Sequence, residues 1–237
     1  MKEKWQSIRG FFRKKSRKLI PLLLLAAILL PIVVDNSYVL GICTKILLYM
    51  LLASSVNVIN GYSGQFAIGH AGFLCVGAYT AAILMARANV PFFLAMLGAG
   101  VMTALFGMLV SFPIGKLSGI YLGFVTLGFS EIVRIICLNW TSVTGGPMGI
   151  KAIPGPKIFG FSLQSSRGYY YIIFAVLVIM VFCTSRILKS RTGRAWISIR
   201  ENGAAAASIG INTAQYKTMN IMYATFWEGC AGAFMAT

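Results

Sequence analysis

Gly193-Arg-Ala-Trp-Ile-Ser-Ile-Arg-Glu-Asn-Gly-Ala-Ala-Ala-Ala-Ser-Ile-Gly-Ile-Asn212 is a polar, helix-competent island in a chain that is otherwise apolar. From Ala195 to Ile209 the residues are mostly good helix formers, Ala204 to Ala207 above all, and Gly210 is placed to cap a C-terminus. The pattern predicts one short helix over 195–209. On a 3.6-residue period Trp196, Ile199, Gly203 and Ala206 share one small, mildly apolar face, while Arg194, Glu201 and Ser208 lie elsewhere. Two readings are open for that face, rimmed by Arg191, Arg194 and Arg200. It slots into the groove of a soluble partner, or the helix rests on lipid headgroups.

What surrounds the island sets the fold class. With 58% hydrophobic and 11% charged residues in 237, the chain is not a soluble domain. It reads as an all-α, polytopic helical membrane protein. The net charge of +16 would suggest nucleic acid in a soluble protein, but here Lys and Arg gather at the ends of apolar runs and act as topology signals. Cys43, Cys75, Cys137, Cys183 and Cys230 fall within expected spans, without the spacing of a disulfide framework or a zinc site.

Met1 to Lys18 carries eight basic residues and gives way to the apolar run Leu19 to Val34. No small-residue cleavage site follows, so this is a signal anchor retained as the first span. Further apolar stretches run over about 38–60, 66–87, 92–115, 119–139, 169–188 and 218–237, each near the roughly 20 residues that cross a bilayer. About seven spans result. The domain division is then a basic segment, 1–18, and a single transmembrane domain, 19–237, with a polar loop at 189–217. With the N-terminus inside, fifteen Lys or Arg lie on cytoplasmic segments against four outside, as the positive-inside rule requires. The island then faces the cytoplasm and the stretch 140–168 lies outside. The chain has no phosphate-binding GxxxxGK[ST], no kinase signature, no metal cluster and no catalytic pair. It is not read as an enzyme, and if it pumps, a partner supplies the energy.

Two features disturb the lipid-like pattern. In Asn60-Gly-Tyr-Ser-Gly-Gln-Phe-Ala-Ile-Gly-His-Ala-Gly72, the glycines Gly61, Gly64, Gly69 and Gly72 weaken helix at a membrane boundary, and His70 is the only histidine. This is either a tight turn with a small-residue packing face and a hydrogen-bonded His70, or a broken helix lining a pathway. In Gly123-Phe-Val-Thr-Leu-Gly-Phe-Ser-Glu-Ile-Val-Arg134, Glu131 and Arg134 stand three apart on one helix face. An unpaired mid-span charge costs roughly 2.5–3.5 kcal/mol. They form a structural ion pair or face water as a substrate contact.

Taken together and in order, Gly61-Tyr-Ser-Gly-Gln, Gly69-His-Ala-Gly-Phe, Gly77-Ala-Tyr, Gly119 to Arg134, Thr144-Gly-Gly-Pro-Met-Gly-Ile150 and Gly193 to Gly210 resemble a known family. It is the M-type permease of high-affinity branched-chain amino-acid ABC importers. The resemblance implies a membrane subunit in the cell inner membrane, paired with a second homologous permease. Cytosolic ABC ATPase subunits and an extracytoplasmic substrate-binding protein complete the importer. No cofactor is bound by the chain; ATP and Mg are used by the partner subunits. Gly193–Asn212 looks like the family's coupling loop, whose Glu-Ala-Ala-xxx-Gly motif docks on the ATPase. Aligned on Gly210, its alanines fall on Ala205 and Ala206, but Ala204 stands where the glutamate would be, and Glu201 is the nearest acid. Arg200, Glu201, Ala205, Ala206 and Gly210 are therefore the coupling candidates. Gly61, Gly64, Gln65, Gly69, His70, Thr126, Glu131 and Arg134 are the pathway and packing candidates.

Related permeases that carry urea or short amides share these motifs, so that substrate class stays open. So does an ATP-independent channel with a re-entrant filter at Gly61–Gly72. The family's pattern continues past a helix like Ala224 to Ala236, so the resemblance implies that the sequence stops inside it. On that reading Gly229 and Gly232 lack their packing partners. Glu228 stands where a small apolar residue is expected, and facing lipid it would be costly.

Overall fold

Apolar runs inside a bilayer become helices because a helix closes its backbone hydrogen bonds within one segment. The computed structural model describes residues 27–32, 36–114, 120–151, 153–155, 157–158, 161–162 and 166–237. The basic segment 1–18 and most of the run Leu19–Val34 lie outside these. Helix α1 spans Ser37–Asn57, started by Asn36, whose side chain accepts from the Tyr38 N–H, and it continues as a π-turn over Val58–Tyr62. Next come α2 (His70–Ala86), α3 (Phe92–Ile114) and α4 (Ile120–Asn139). A short α5 (Thr141–Thr144), a 3-10 turn (Gly146–Met148) and a two-residue antiparallel pair, β1 (Lys157–Ile158) with β2 (Phe161–Ser162), follow. Then come α6 (Ser166–Lys189), α7 (Arg191–Glu201), α8 (Gly203–Ser208) and α9 (Thr213–Ala236).

Among the described residues, four helices are long and apolar enough to cross a membrane: Ser37–Tyr62, Phe92–Phe112, Tyr121–Asn139 and Arg167–Lys189. They coincide with four of the expected spans. The run expected at 66–87 differs: its helix begins only at His70 and is shorter, because residues 64–69 are not helical. The run expected at 218–237 lies within α9, which is less apolar than a lipid-facing span because its place is at the centre.

Helix α9 packs on α3, α2 and α1, and every residue from Trp227 to Phe234 is buried. Small residues make this possible. A Cβ on Gly77 of α2 would lie 2.5 Å from Gly229 Cα, and one on Gly232 would lie 2.5 Å from the Leu74 carbonyl oxygen. One on Gly229 would lie 2.6 Å from the Ala99 oxygen of α3. Backbones thus meet directly, gaining dispersion contact that lipid tails would not give up for larger side chains. The expectation that Gly229 and Gly232 lack packing partners is therefore overturned, since α2 and α3 supply them. Elsewhere α6 packs on α1, and its Tyr170 and Tyr171 hydroxyls donate to the carbonyls of Ala27 and Ile28. A cleft of about 680 Å³ opens between α1, α6 and the last turn of α9, lined in part by Lys45, Tyr169 and Thr237, at the end of α1 away from the π-turn.

Adding volume at the triple contact should therefore be costly. Gly229→Val is expected to destabilise the fold by about 1–3 kcal/mol through overpacking, whereas Gly41→Ala, with nothing within 4 Å of the new methyl, should be neutral or slightly stabilising. Thermal unfolding of the two variants in detergent checks this, with a lower midpoint expected for Gly229→Val alone.

Candidate functional site

At 17 residues, α2 rises about 25 Å, short of the roughly 30 Å hydrocarbon core. The chain between Tyr62 and His70 makes up the difference in a non-helical path, entered through Gly64 at φ +67°, where a side chain would be strained. Backbone groups freed from a helix need partners, and side chains supply them. Thr126 Oγ1 of α4 accepts from the Ile68 N–H at 3.1 Å, and Ser130 Oγ bridges the Gly69 carbonyl (3.0 Å) and the Gly72 N–H (2.8 Å). Asn60 holds both backbone groups of Ala67, at 3.2 and 3.3 Å. Asn220 of α9 donates to the Val58 carbonyl at 3.1 Å and accepts from Gln65 at 3.4 Å, while Gln65 also donates to Ser63 at 2.8 Å. The helix is broken between Tyr62 and His70 and pinned from α4 and α9, and Gly69 and Gly72 meet the Thr126 and Ser130 backbones of α4, the small-residue packing that one of the two readings expected.

Glu228 explains the other end of the break. It is fully buried, not lipid-facing, with Oε1 2.7 Å from His70 Nδ1 and 3.0 Å from Ser55 Oγ. The expected lipid-facing cost is thus replaced by a paired site built from α1, α2 and α9. His70 Nε2 lies 3.2 Å from the Ala67 carbonyl, which only accepts, so Nε2 carries a hydrogen. The proton between Nδ1 and Oε1 then decides whether the pair is ionic or neutral. Glu228 Oε2 is buried with no hydrogen-bond partner.

The polar island is two helices, not the single helix expected over 195–209. Asn202 ends α7 in an extended conformation, and its side chain caps α8 by accepting from the Ala205 N–H at 3.0 Å. Asparagine competes with helix continuation in this way. Gly210, at φ +86°, closes α8: the Gly210 N–H bonds the Ala207 carbonyl and the Ile211 N–H bonds the Ala206 carbonyl, as a Schellman cap requires. The small face, left open between a partner groove and lipid headgroups, turns inward instead. Trp196 (1% exposed), Ile199 and Ala206 (2%) are buried, and Trp196 packs with Val58, Ile59, Ala67 and Ala224 while its Nε1 donates to the Tyr216 carbonyl at 3.0 Å.

Arg200 joins this island to the break. Its Nη1 donates to the Gly61 carbonyl at 2.9 Å, its Nη2 pairs with Glu201 at 2.6 Å, and its aliphatic stem covers Gly64, whose Cβ would lie 2.6 Å from Arg200 Cγ. Thus Gly61, Gly64, Gln65, Gly69, His70 and Thr126 meet in one place, together with Arg200. Glu131 and Arg134 stand apart on the outer face of α4, bonded to each other at 2.5 and 2.9 Å. Glu201, Ala205 and Gly210 are exposed, and Ala206 is not. Sequence reasoning missed Ser55, Ser130 and Asn220, whose only signal was a polar side chain in an apolar run, and Ile209, a 75% exposed apolar side chain at the tip of α8.

Residues 38–237 match the family described as branched-chain amino acid transport system / permease component. The chain is 35% identical over 245 residues to the "High-affinity branched-chain amino acid transport system permease protein LivM" of Escherichia coli (strain K12), covering 94% of this chain and 57% of that one. It is 26% identical over 212 residues to a "Probable branched-chain amino acid transport permease protein LivM" of Methanocaldococcus jannaschii, covering 73% of this chain and 60% of that one. The chain thus spans a little over half the length of the curated relatives it matches. No solved structure matches it.

Because Glu228 and His70 are bonded to each other, their contributions should not add. Glu228→Ala is expected to destabilise by on the order of 3–5 kcal/mol, the cost of stranding a buried partner, and Glu228→Gln, which keeps a hydrogen bond, by less. A double-mutant cycle with His70→Ala, read by thermal unfolding in detergent, should show the pair far from additive. Additive losses would mean that the two side chains act independently.

Proposed function

The chain belongs to the permease-component family of branched-chain amino-acid transport systems, and we propose that it is the translocating membrane subunit of an ATP-driven importer of branched-chain amino acids. It lies in the cell inner membrane with its N-terminus and α7–α8 on the cytoplasmic side, as the distribution of Lys and Arg favours. It works with a second, similar permease, with cytosolic ATPase subunits that use ATP and Mg, and with an extracytoplasmic binding protein. The chain itself hydrolyses nothing.

One observation carries this reading: Arg200 of the cytoplasmic island grips the Gly61 carbonyl at the helix break. Trp196 reinforces the grip, embedded between Val58 and Ile59 of the break and the start of α9. When the ATPases close, they displace α7–α8 as a unit, and Arg200 and Trp196 pass that displacement to the break. A broken helix yields by changing a few loop dihedrals, whereas an unbroken one moves only as a rod. The docking surface is the outward side of α8, where Ala205, Ile209 and Gly210 are exposed. It is small and shallow and bears an apolar tip.

The inward and outward sides of α8 can be separated by volume. Ala205→Trp should leave the folded permease intact and abolish its copurification with the ATPase, while Ala206→Trp, forced into the buried side, should lower folded yield itself. Gly210→Arg should behave like Ala205→Trp, with a further cost of about 1 kcal/mol for placing a side chain at a left-handed cap. Copurification and amino-acid-stimulated ATP hydrolysis are the readouts. Normal coupling in both Ala205→Trp and Gly210→Arg transporters would remove the docking role from α8.

A further inference from the structure

Cys75 on α2 and Cys137 on α4 stand 62 residues apart in the chain, with no motif spacing to link them, yet their Sγ atoms lie 3.6 Å from each other. Both side chains are half-buried, so neither thiol is sealed off. Among the described residues this is the one contact between two sulfurs; Cys43, Cys183 and Cys230 sit singly on α1, α6 and α9. The two helices are held together on either side of it. Towards the break, Ser130 of α4 bonds the Gly69 carbonyl and the Gly72 N–H. At the other end of α2, Arg87 Nη2 donates to the Ser142 and Val143 carbonyls at 2.7 and 2.9 Å, just past the end of α4. Thr144 Oγ1 reaches the Cys137 and Trp140 carbonyls at 2.7 and 2.8 Å and fixes the end of α4 itself. The sulfurs are neighbours because two clamped helices hold them so.

We propose that Cys75 and Cys137 form an oxidation site, which hydrogen peroxide closes into a disulfide that staples α2 to α4. A disulfide holds its sulfurs at about 2 Å, so closure asks for a shift of about 1.5 Å from the observed separation. A half-buried pair in an apolar bundle excludes bulky or charged oxidants, whereas a small neutral peroxide reaches it. Cys137, two residues from the end of α4, is the nearer to water. Its sulfur attacks the peroxide O–O bond, which breaks to leave a sulfenic acid, S–OH, and one water. Cys75 then acts as the resolving thiol. Its sulfur displaces the hydroxyl, the S–S bond forms and a second water leaves with the remaining thiol proton. Two thiols are oxidised, one peroxide is reduced to two waters, and nothing else is consumed. The bond closes a loop that includes α3 and joins the helix carrying His70 to the helix carrying Thr126 and Ser130, beside the contacts that pin the break.

The test is graded hydrogen peroxide treatment of the protein in nanodiscs, followed by maleimide counting of free thiols after denaturation and by non-reducing peptide mass spectrometry. Two of the five thiols should be lost together, the Cys75 and Cys137 peptides should appear linked, and dithiothreitol should restore all five. The linked protein should also unfold about 5–10 °C higher than the reduced one, because the cross-link restricts the unfolded chain. Cys75→Ser removes the resolving thiol. In that variant Cys137 should stop at the sulfenic acid, trapped by dimedone, and the rise in unfolding midpoint should vanish. Mapping of the unsubstituted protein decides the matter even where the variant folds poorly. Unchanged thiols, Cys137 driven to sulfinic acid while Cys75 stays free, or links spread equally over Cys43, Cys183 and Cys230 would each overturn the proposal.

Discussion

Inside a bilayer there is no water to satisfy a backbone N–H or C=O, so a chain that interrupts a helix there must bring its own partners. That constraint organises this molecule. Between Tyr62 and His70 the helix is absent, and the polar side chains that look out of place in an apolar sequence are the ones that answer for it. Thr126 and Ser130 come from α4, Asn220 from α9, Arg200 from α7, and Asn60 from the break itself. The result is fixed rather than loose, because α4, α7 and α9, each packed elsewhere, all bond to the break.

The central helix meets a second constraint. Helix α9 carries Glu228 in the most enclosed part of the bundle, which is tolerable only because lipid is excluded and His70 and Ser55 stand opposite it. Exclusion comes from the glycines: Gly77, Gly229 and Gly232 bring three backbones so close that no acyl chain enters. Packing by small residues and pairing of the buried acid are therefore one arrangement. Larger residues at 229 would push α9 outward and separate Glu228 from His70.

Much of this was legible in the sequence, and the misses have physical causes. Hydropathy located the helices, and the glycine-rich stretch 60–72 announced a boundary, because both signals are local. Gly210 announced a C-cap correctly, since only the αL position there favours glycine. The single helix over 195–209 was wrong because the capping preference of Asn202 outweighed the propensity of the residues around it. Periodicity grouped Trp196, Ile199 and Ala206 on one face but carried no sign telling inside from outside, and the face packs on its own chain. Glu228 was conspicuous as an acid in an apolar run. Its partner, 158 residues away at His70, depends on how α2 and α9 dock, which no local pattern encodes.

The central claim is that the break at 58–72 is a pinned element of the fold. Amide hydrogen exchange of the protein in detergent or nanodiscs tests it most directly. The amides of Gln65, Ala67, Ile68 and Gly72, each bonded in the structure, should exchange as slowly as those of the buried stretch Trp227–Phe234 of α9. Exchange at those four positions as fast as at the exposed loop around Ile150 and Lys151 would show the break to be a flexible linker and would contradict the account.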